Sequence, residues 1–426
     1  MSFKACLMVF LLIVASIMSG VSRTGASAIT SQSSLNASFE ETHVISGVPY
    51  IAQTEVNYCW YASLAMVLNT MGMNTSLDEL LFYVGAGYVH TYRTDQRLPH
   101  PGMWGRFDFL RTLFGVTERY WIPQSQNLTN DELWEQYYAG VKENISRDIP
   151  VITMVDPFSL PSLRTQFKTN DLIWSLMFAP GHHVIVIVGF NETDQTVCYQ
   201  DPNAGFYGDG SFGTYAWMSL SLFRQAHEQI DNYAVITYEQ TGIPLSKQEA
   251  FDEAFRKNIE NLTGGSHGYG GCYGINASVR MEVDFSPGVN QSQETSRLYK
   301  TYGGTGLIYT VDLVIHWLLS RLDPTYPNIY DIIVAGKQDP FEEIAAAKNH
   351  TAQYLAQCVI NQSLCRNQSV LLFNESDLWQ KLSSSYAVFM RKGMFLSTMR
   401  ALYVMRSMDA RMQDIIHLEE ALIMHA

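Results

Sequence analysis

Residues 184–188 read Val-Ile-Val-Ile-Val, an unbroken β-branched run closed by Gly189. A strand that is apolar on both faces has to be covered on both faces, so this one belongs inside a layered domain. His183 stands at its start. Residues 191–195 read as a turn, and 196–200 return as a second strand. With the hairpin centred near Glu192, Asp201 comes back level with His183. Residues 151–155 and 234–239 read as further strands, and helical patterns alternate with them, as a mixed α/β domain requires.

A helix is expected to start near Cys59. Asn57 is placed to cap it and Gly72 to end it, while Trp60, Leu64, Val67, Leu68 and Met71 fall on one face. Cys59 therefore sits in the first turn, where the helix end favours negative charge and so favours a thiolate nucleophile. Gln53 lies six residues upstream on the entering loop, from which its amide can donate to a developing oxyanion. His183 is the expected base. Asp201 beside it would fix the imidazole tautomer and stabilise the imidazolium, with Asn203 as the substitute for that role. His182 is the rival base, but neighbouring strand residues point to opposite sides. Parity also removes His182 and His183 as a metal pair, so no metal or cofactor is expected. The other histidines (His43, His90, His100, His227, His267, His316, His350, His417 and His425) have no partner pattern and read as structural or solvated.

The order Gln53, Cys59-Trp60-x-Ala62, His183 with Gly189 six residues on, and Asp201-Pro202 resembles the papain-like cysteine peptidases, in particular the C39-like group. The likeness covers residues 48–205. It implies an α+β fold with a papain-like domain, a cleft between helix and sheet, and a peptide or protein substrate. A looser resemblance joins residues 77–92 and 150–161 to the N-terminal domain of the butirosin-biosynthesis acyltransferase group. That group implies the same Cys/His chemistry directed at a carrier-bound acyl chain. A degenerate papain-like binding module is the non-enzymatic alternative. Retention of both Cys59 and His183 favours an enzyme.

The rest of the chain sets the context. Lys4, an apolar run over residues 5–18 and Ala26-Ser27-Ala28 predict a signal peptide over residues 1–28. A Ser-rich linker follows over 29–45, then the papain-like domain over 46–240. Thr241-Gly242-Ile243-Pro244 marks a break, and 241–426 is expected to be all helical, with helices over 307–322, 341–360 and 377–408. The Gly-rich segment 264–274 reads as a loop. Twelve of the twenty asparagines lie in N-x-Ser/Thr sequons, an excess that points to a secreted glycoprotein. An oxidising compartment predicts a Cys358–Cys365 bridge and a second one between Cys198 and Cys272, with Cys59 free. The net charge of −13 repels phosphate backbones, which argues against nucleic acid as a partner. No stretch after the signal reads as a membrane span.

Overall fold

The computed structural model describes residues 41–55, 57–93, 98–101, 109–123, 128–163, 182–267, 271–285, 340–392 and 398–426. The expected signal peptide, most of the linker and the helix expected over 307–322 lie outside them. In chain order the strands are β1 (Thr42–Val44), β2 (His90–Arg93), β3 (Leu98–Pro101), β4 (Val116–Trp121), β5 (Val151–Val155), β6 (His183–Asn191), β7 (Thr196–Gln200), β8 (Ala216–Ser219), β9 (Val235–Gln240), β10 (Gly265–His267) and β11 (Gly271–Tyr273). The helices are α1 (Cys59–Thr70), α2 (Leu77–Tyr83), α3 (Phe109–Phe114), α4 (Asn130–Ile145), α5 (Pro202–Tyr207), α6 (Leu220–Glu228), α7 (Lys247–Leu262), α8 (Ile275–Phe285), α9 (Pro340–Gln357), α10 (Gln362–Lys392) and α11 (Thr398–Met424).

The main sheet is antiparallel, in the order β4-β9-β5-β6-β7-β8, and β1 pairs with the far half of β6. The β-branched run falls in β6, which is buried from His183 to Phe190. One layer over it is α1, whose residues from Tyr61 to Leu68 are all buried. A helix apolar almost all round has no face for solvent, which is why this one lies inside. It ends where Gly72 takes φ +84°, a conformation that costs glycine little. Its N-terminus differs from expectation. Tyr58, not Asn57, is the capping residue, and the Asn57 amide instead donates to the Glu343 carboxylate on α9. The helix α4 begins in a capping box made by Thr129 and Glu132, and α7 in one made by Ser246 and Glu249.

The region after residue 240 is mostly helical, but not entirely. The Gly-rich segment forms the hairpin β10–β11, and β11 pairs with β2, with Cys272 opposite Tyr92. The expectation of an all-helical C-terminal region fails here because these glycines serve strand pairing with an earlier part of the chain. The helix expected over 377–408 is also replaced, by α10 and α11. Residues Glu40–Ala426 form one compact unit. Within it α9 packs on α2 and β3, and α8 packs on α11.

A polar network is buried in that region. The Lys348 ammonium lies 2.6 Å from Glu375 Oε1 and donates to the Gly87 carbonyl at 3.3 Å. His90 contacts Ser278 Oγ at 3.0 Å through Nε2 and lies 3.6 Å from Glu419 Oε1 through Nδ1. Burial, reinforced by the Lys348 charge, drives the His90 pKa far down, so the ring is neutral. Burial and then the Glu375 charge drive the Glu419 pKa far up, so that carboxyl keeps its proton. The neighbours thus hold one net ion pair, which limits the cost of burying so many ionisable groups.

The predicted bridges are absent. Cys198, Cys358 and Cys365 are free thiols. Cys358 and Cys365 both direct their sulfurs at the Ile360 carbonyl, at 3.6 and 2.9 Å, and so share an acceptor in place of a bond. The side chain of Cys272 lies outside the described ones.

Candidate active site

Two elements carry the reactive groups, and a hydrogen bond between them sets their spacing. Ser63 Oγ, one turn into α1, donates to the Val184 carbonyl at 3.3 Å. That contact places the N-terminus of α1 over the start of β6, which puts Cys59 beside His183. The ring of His183 is 3% exposed, whereas His182 is exposed, as strand alternation predicts. Cys59 is only partly buried.

His183 Nε2 lies 2.7 Å from Asp201 Oδ1. Nδ1 is therefore the nitrogen that faces the thiol, and the Cys59 hydrogen bond contributes to the state of the ring. Burial alone would strip its proton. The Asp201 charge and hydrogen bond, followed by the Cys59 hydrogen bond and charge, outweigh burial and carry the His183 pKa up to about 10. The ring is an imidazolium at neutral pH.

Asp201 reaches this position differently from the expected register. The β6–β7 ladder slips between Ile187 and Gly189, and Val186 pairs with Gln200. Asp201 thus leaves the sheet short of His183 and becomes the capping residue of α5. Its side chain spans the remaining distance diagonally. The carboxylate is fully buried and well supplied with donors: Asn203 N–H reaches Oδ1 at 2.9 Å and Ser162 Oγ–H reaches Oδ2. The Asp201 N–H donates to the Gly213 carbonyl at 2.8 Å, and its own carbonyl accepts from Tyr50 at 3.0 Å. Asn203 thus serves Asp201 through its backbone and does not replace it.

Gln53 is buried on the same side. Its N–H donates to the Pro202 carbonyl at 3.0 Å, which ties it to the segment carrying Asp201. Its side-chain amide donates to the Glu55 carbonyl at 2.8 Å, using one of the two hydrogens on Nε2. Tyr207, at the end of α5, lies near both Asp201 and Cys59. Burial first, then those two charges, raise its phenol pKa, so it remains a neutral hydroxyl. By contrast Cys198 sits in the core, and burial pushes its thiol up to about 12, which makes it inert.

Sequence reasoning brought together Cys59, His183 and Asp201 and missed their support. Ser162 and Gly213 gave no spacing signal, because nothing in the sequence says which residues will surround a carboxylate. Tyr50 stands three residues before Gln53, but its bond to the Asp201 carbonyl crosses 151 residues. The histidines read as lacking a partner pattern do have partners. His43 pairs with Asp148 at 2.9 Å, His227 with Tyr137 at 2.9 Å, and His350 with Asp78 at 2.7 Å. Among the described residues no group of three or more His, Cys, Asp or Glu is arranged to hold a metal ion. No described helix is long and apolar enough to cross a membrane.

Residues 45–235 match the model of the Peptidase_C39 like family. This segment is C39-like. The match begins before Gln53 and ends in β9, so it contains Gln53, Cys59, His183 and Asp201 and β6 with its neighbours β5 and β7. The match supports a cysteine-peptidase-type enzyme. No curated protein matches the chain.

Proposed function

We propose that the protein is a cysteine hydrolase that cleaves peptide or other amide bonds through a thioester on Cys59, with His183 as the acid–base group and Asp201 as its orienting carboxylate. The observation that supports this reading is the buried His183 ring, held by Asp201 on Nε2 at 2.7 Å and near enough to Cys59 for that thiol to help raise its pKa. A buried imidazolium is costly unless anions offset it, and in this reading the Asp201 carboxylate and the Cys59 thiolate are those anions.

In this mechanism the Cys59 thiolate, its proton already carried on His183 Nδ1, attacks the carbonyl carbon and the C=O electron pair moves to oxygen. The Gln53 amide and the backbone N–H groups opening α1 are the donors for that oxyanion. As the tetrahedral species collapses, the C–N bond breaks and His183 Nδ1 gives its proton to the leaving amine. Water then attacks the thioester, losing a proton to Nδ1, and the acid departs from sulfur. Asp201 keeps Nε2–H in place throughout. By the signal pattern and sequon excess, this chemistry takes place outside the cell on a glycosylated chain.

The test is turnover of peptide pools by wild type and Cys59→Ala, with mass spectrometry of the peptide labelled by a thiol electrophile. Labelling confined to Cys59 and loss of turnover in the variant are expected. Equal turnover by Cys59→Ala would eliminate the mechanism. Product that appears only with an acyl-loaded carrier and an amine acceptor would point to acyl transfer instead.

A further inference from the structure

The loop that delivers Cys59 is gripped from a part of the chain that the family match does not reach. Every polar side chain described in residues 54–57 is held by α9 or by groups packed against it. Thr54 Oγ1 lies 3.1 Å from His350 Nε2, Glu55 Oε1 lies 3.8 Å from the same nitrogen, and Asn57 donates to Glu343. The Tyr58 ring lies against the His350 ring with centroids 5.6 Å apart. On its other side His350 Nδ1 contacts Asp78 Oδ1 at 2.7 Å, in the first turn of α2. The helix comes this close because residue 87 is glycine. A Cβ there would lie 2.1 Å from Thr351 Oγ1.

We propose that His350 is a positioning residue for the active site, a cationic clasp that, with Glu343, fixes the loop carrying Gln53 and Cys59. This rests on the reading of Cys59 as the nucleophile. The coupling to Gln53 is direct, since the Gln53 amide donates to the carbonyl of Glu55, the residue whose carboxylate faces His350. The charged and titratable groups facing His350 are Asp78 from α2 and Glu55 and Tyr58 from the loop, with Glu343 on α9 itself close to Tyr58. Lys348 on the same helix is turned away toward Glu375. Burial works against the proton on His350, but the hydrogen bond to Asp78 and the nearby Asp78 and Glu55 carboxylates raise its pKa to about 9. When the proton leaves, Nδ1–H still serves Asp78 and the Thr54 hydroxyl can turn to donate to Nε2. What disappears is the attraction for Glu55.

The experiment is hydrogen exchange on the full chain from pH 7 to 9.5, corrected for intrinsic rates, with turnover and Cys59 labelling measured on the same samples. Linkage predicts that protection of the amides of Gln53 and Tyr58 falls roughly tenfold or more over that range in wild type, as the proton leaves His350. In His350→Gln the protection should already be low at pH 7 and flat with pH. Its kcat and Cys59 labelling rate should fall about tenfold with a smaller change in KM. Unchanged protection in wild type across the range would overturn the proposal without any variant having to fold. So would a His350→Gln protein that labels and turns over at the wild-type rate. Cys59→Ala is run in parallel. If it retains turnover, the proposed mechanism falls, while the exchange data still judge the clasp.

Discussion

Replacing Asp201 with asparagine keeps the shape of the site and removes its charge. Asn can still accept from the His183 ring and from Asn203 N–H, and its amide can donate to Ser162 Oγ once that hydroxyl turns. The structure gives the size of the effect. The wild-type ring is carried from 6.5 to about 10 against the opposing action of burial. That rise corresponds to a preference for the imidazolium on the order of 5 kcal/mol. Asp201 supplies the first and largest of the opposing contributions, so without it the ring falls to its ordinary value or lower. The alkaline limit of kcat/KM, near pH 10 in wild type, should move down by about 3.5 units or more in Asp201→Asn. Stability follows the same sign. A histidine with a raised folded-state pKa contributes fully below the unfolded value of 6.5 and loses its contribution as pH rises through about 10. The denaturant midpoint of wild type should therefore exceed that of the variant at pH 6 and approach it by pH 10.5. The assay is a pair of pH–rate profiles with urea titrations at matched pH. An alkaline limb that stays within half a unit of wild type, in a variant that folds, would refute the account of how Asp201 acts.

Gly213→Ala should damage the site without touching a reactive group. Its Cβ would lie 2.4 Å from the Asp201 carbonyl and 2.6 Å from Ala204 Cβ, so the Asp201 backbone must move, costing about 1–3 kcal/mol and lowering kcat; a fully active variant of unchanged Tm would contradict this. His227, whose pKa burial lowers to about 3, should make the fold acid-sensitive. Its unfolded form takes a proton below about pH 6.5 while the folded form does not, so wild type should lose stability from pH 6.5 toward 4, and His227→Gln should show a shallower slope in urea titrations. Gly87→Ala should push α9 off its seat, lowering Tm and the protection of the loop before Cys59 together, as read by calorimetry and hydrogen exchange.

What the sequence could convey depended on range. The strands at 151–155 and 196–200, the strand opening at His183 and the helix opening at Cys59 were legible because local pattern sets them, and the placement of Cys59 near His183 followed from a motif order. The edge strands β4 and β8 were not read, because a half-exposed strand lacks the continuous apolar run that marked β6. The bulge in the β6–β7 ladder was likewise hidden, since hairpin register was counted from an ideal turn. Asn57 shows the limit most clearly. By local rules it is a good helix cap, and only a residue 286 positions later determines that it is not one. His350 was dismissed for the same reason, its partners lying 272 and 296 positions away.

The buried network around Lys348 bears on the order in which this protein can become itself. It draws on residues 87 and 90 beside the family segment's second helix, on Ser278, on Lys348 and Glu375, and on Glu419, seven residues from the end of the sequence. During synthesis the C39-like segment emerges first and complete, yet Gly87 and His90 wait for groups that have not yet been made. Until Glu419 arrives, His90 and Lys348 have no complete set of neighbours inside which to be buried. Completion of the network is thus timed by α11, and a chain lacking Glu419 leaves His90 without its carboxyl neighbour.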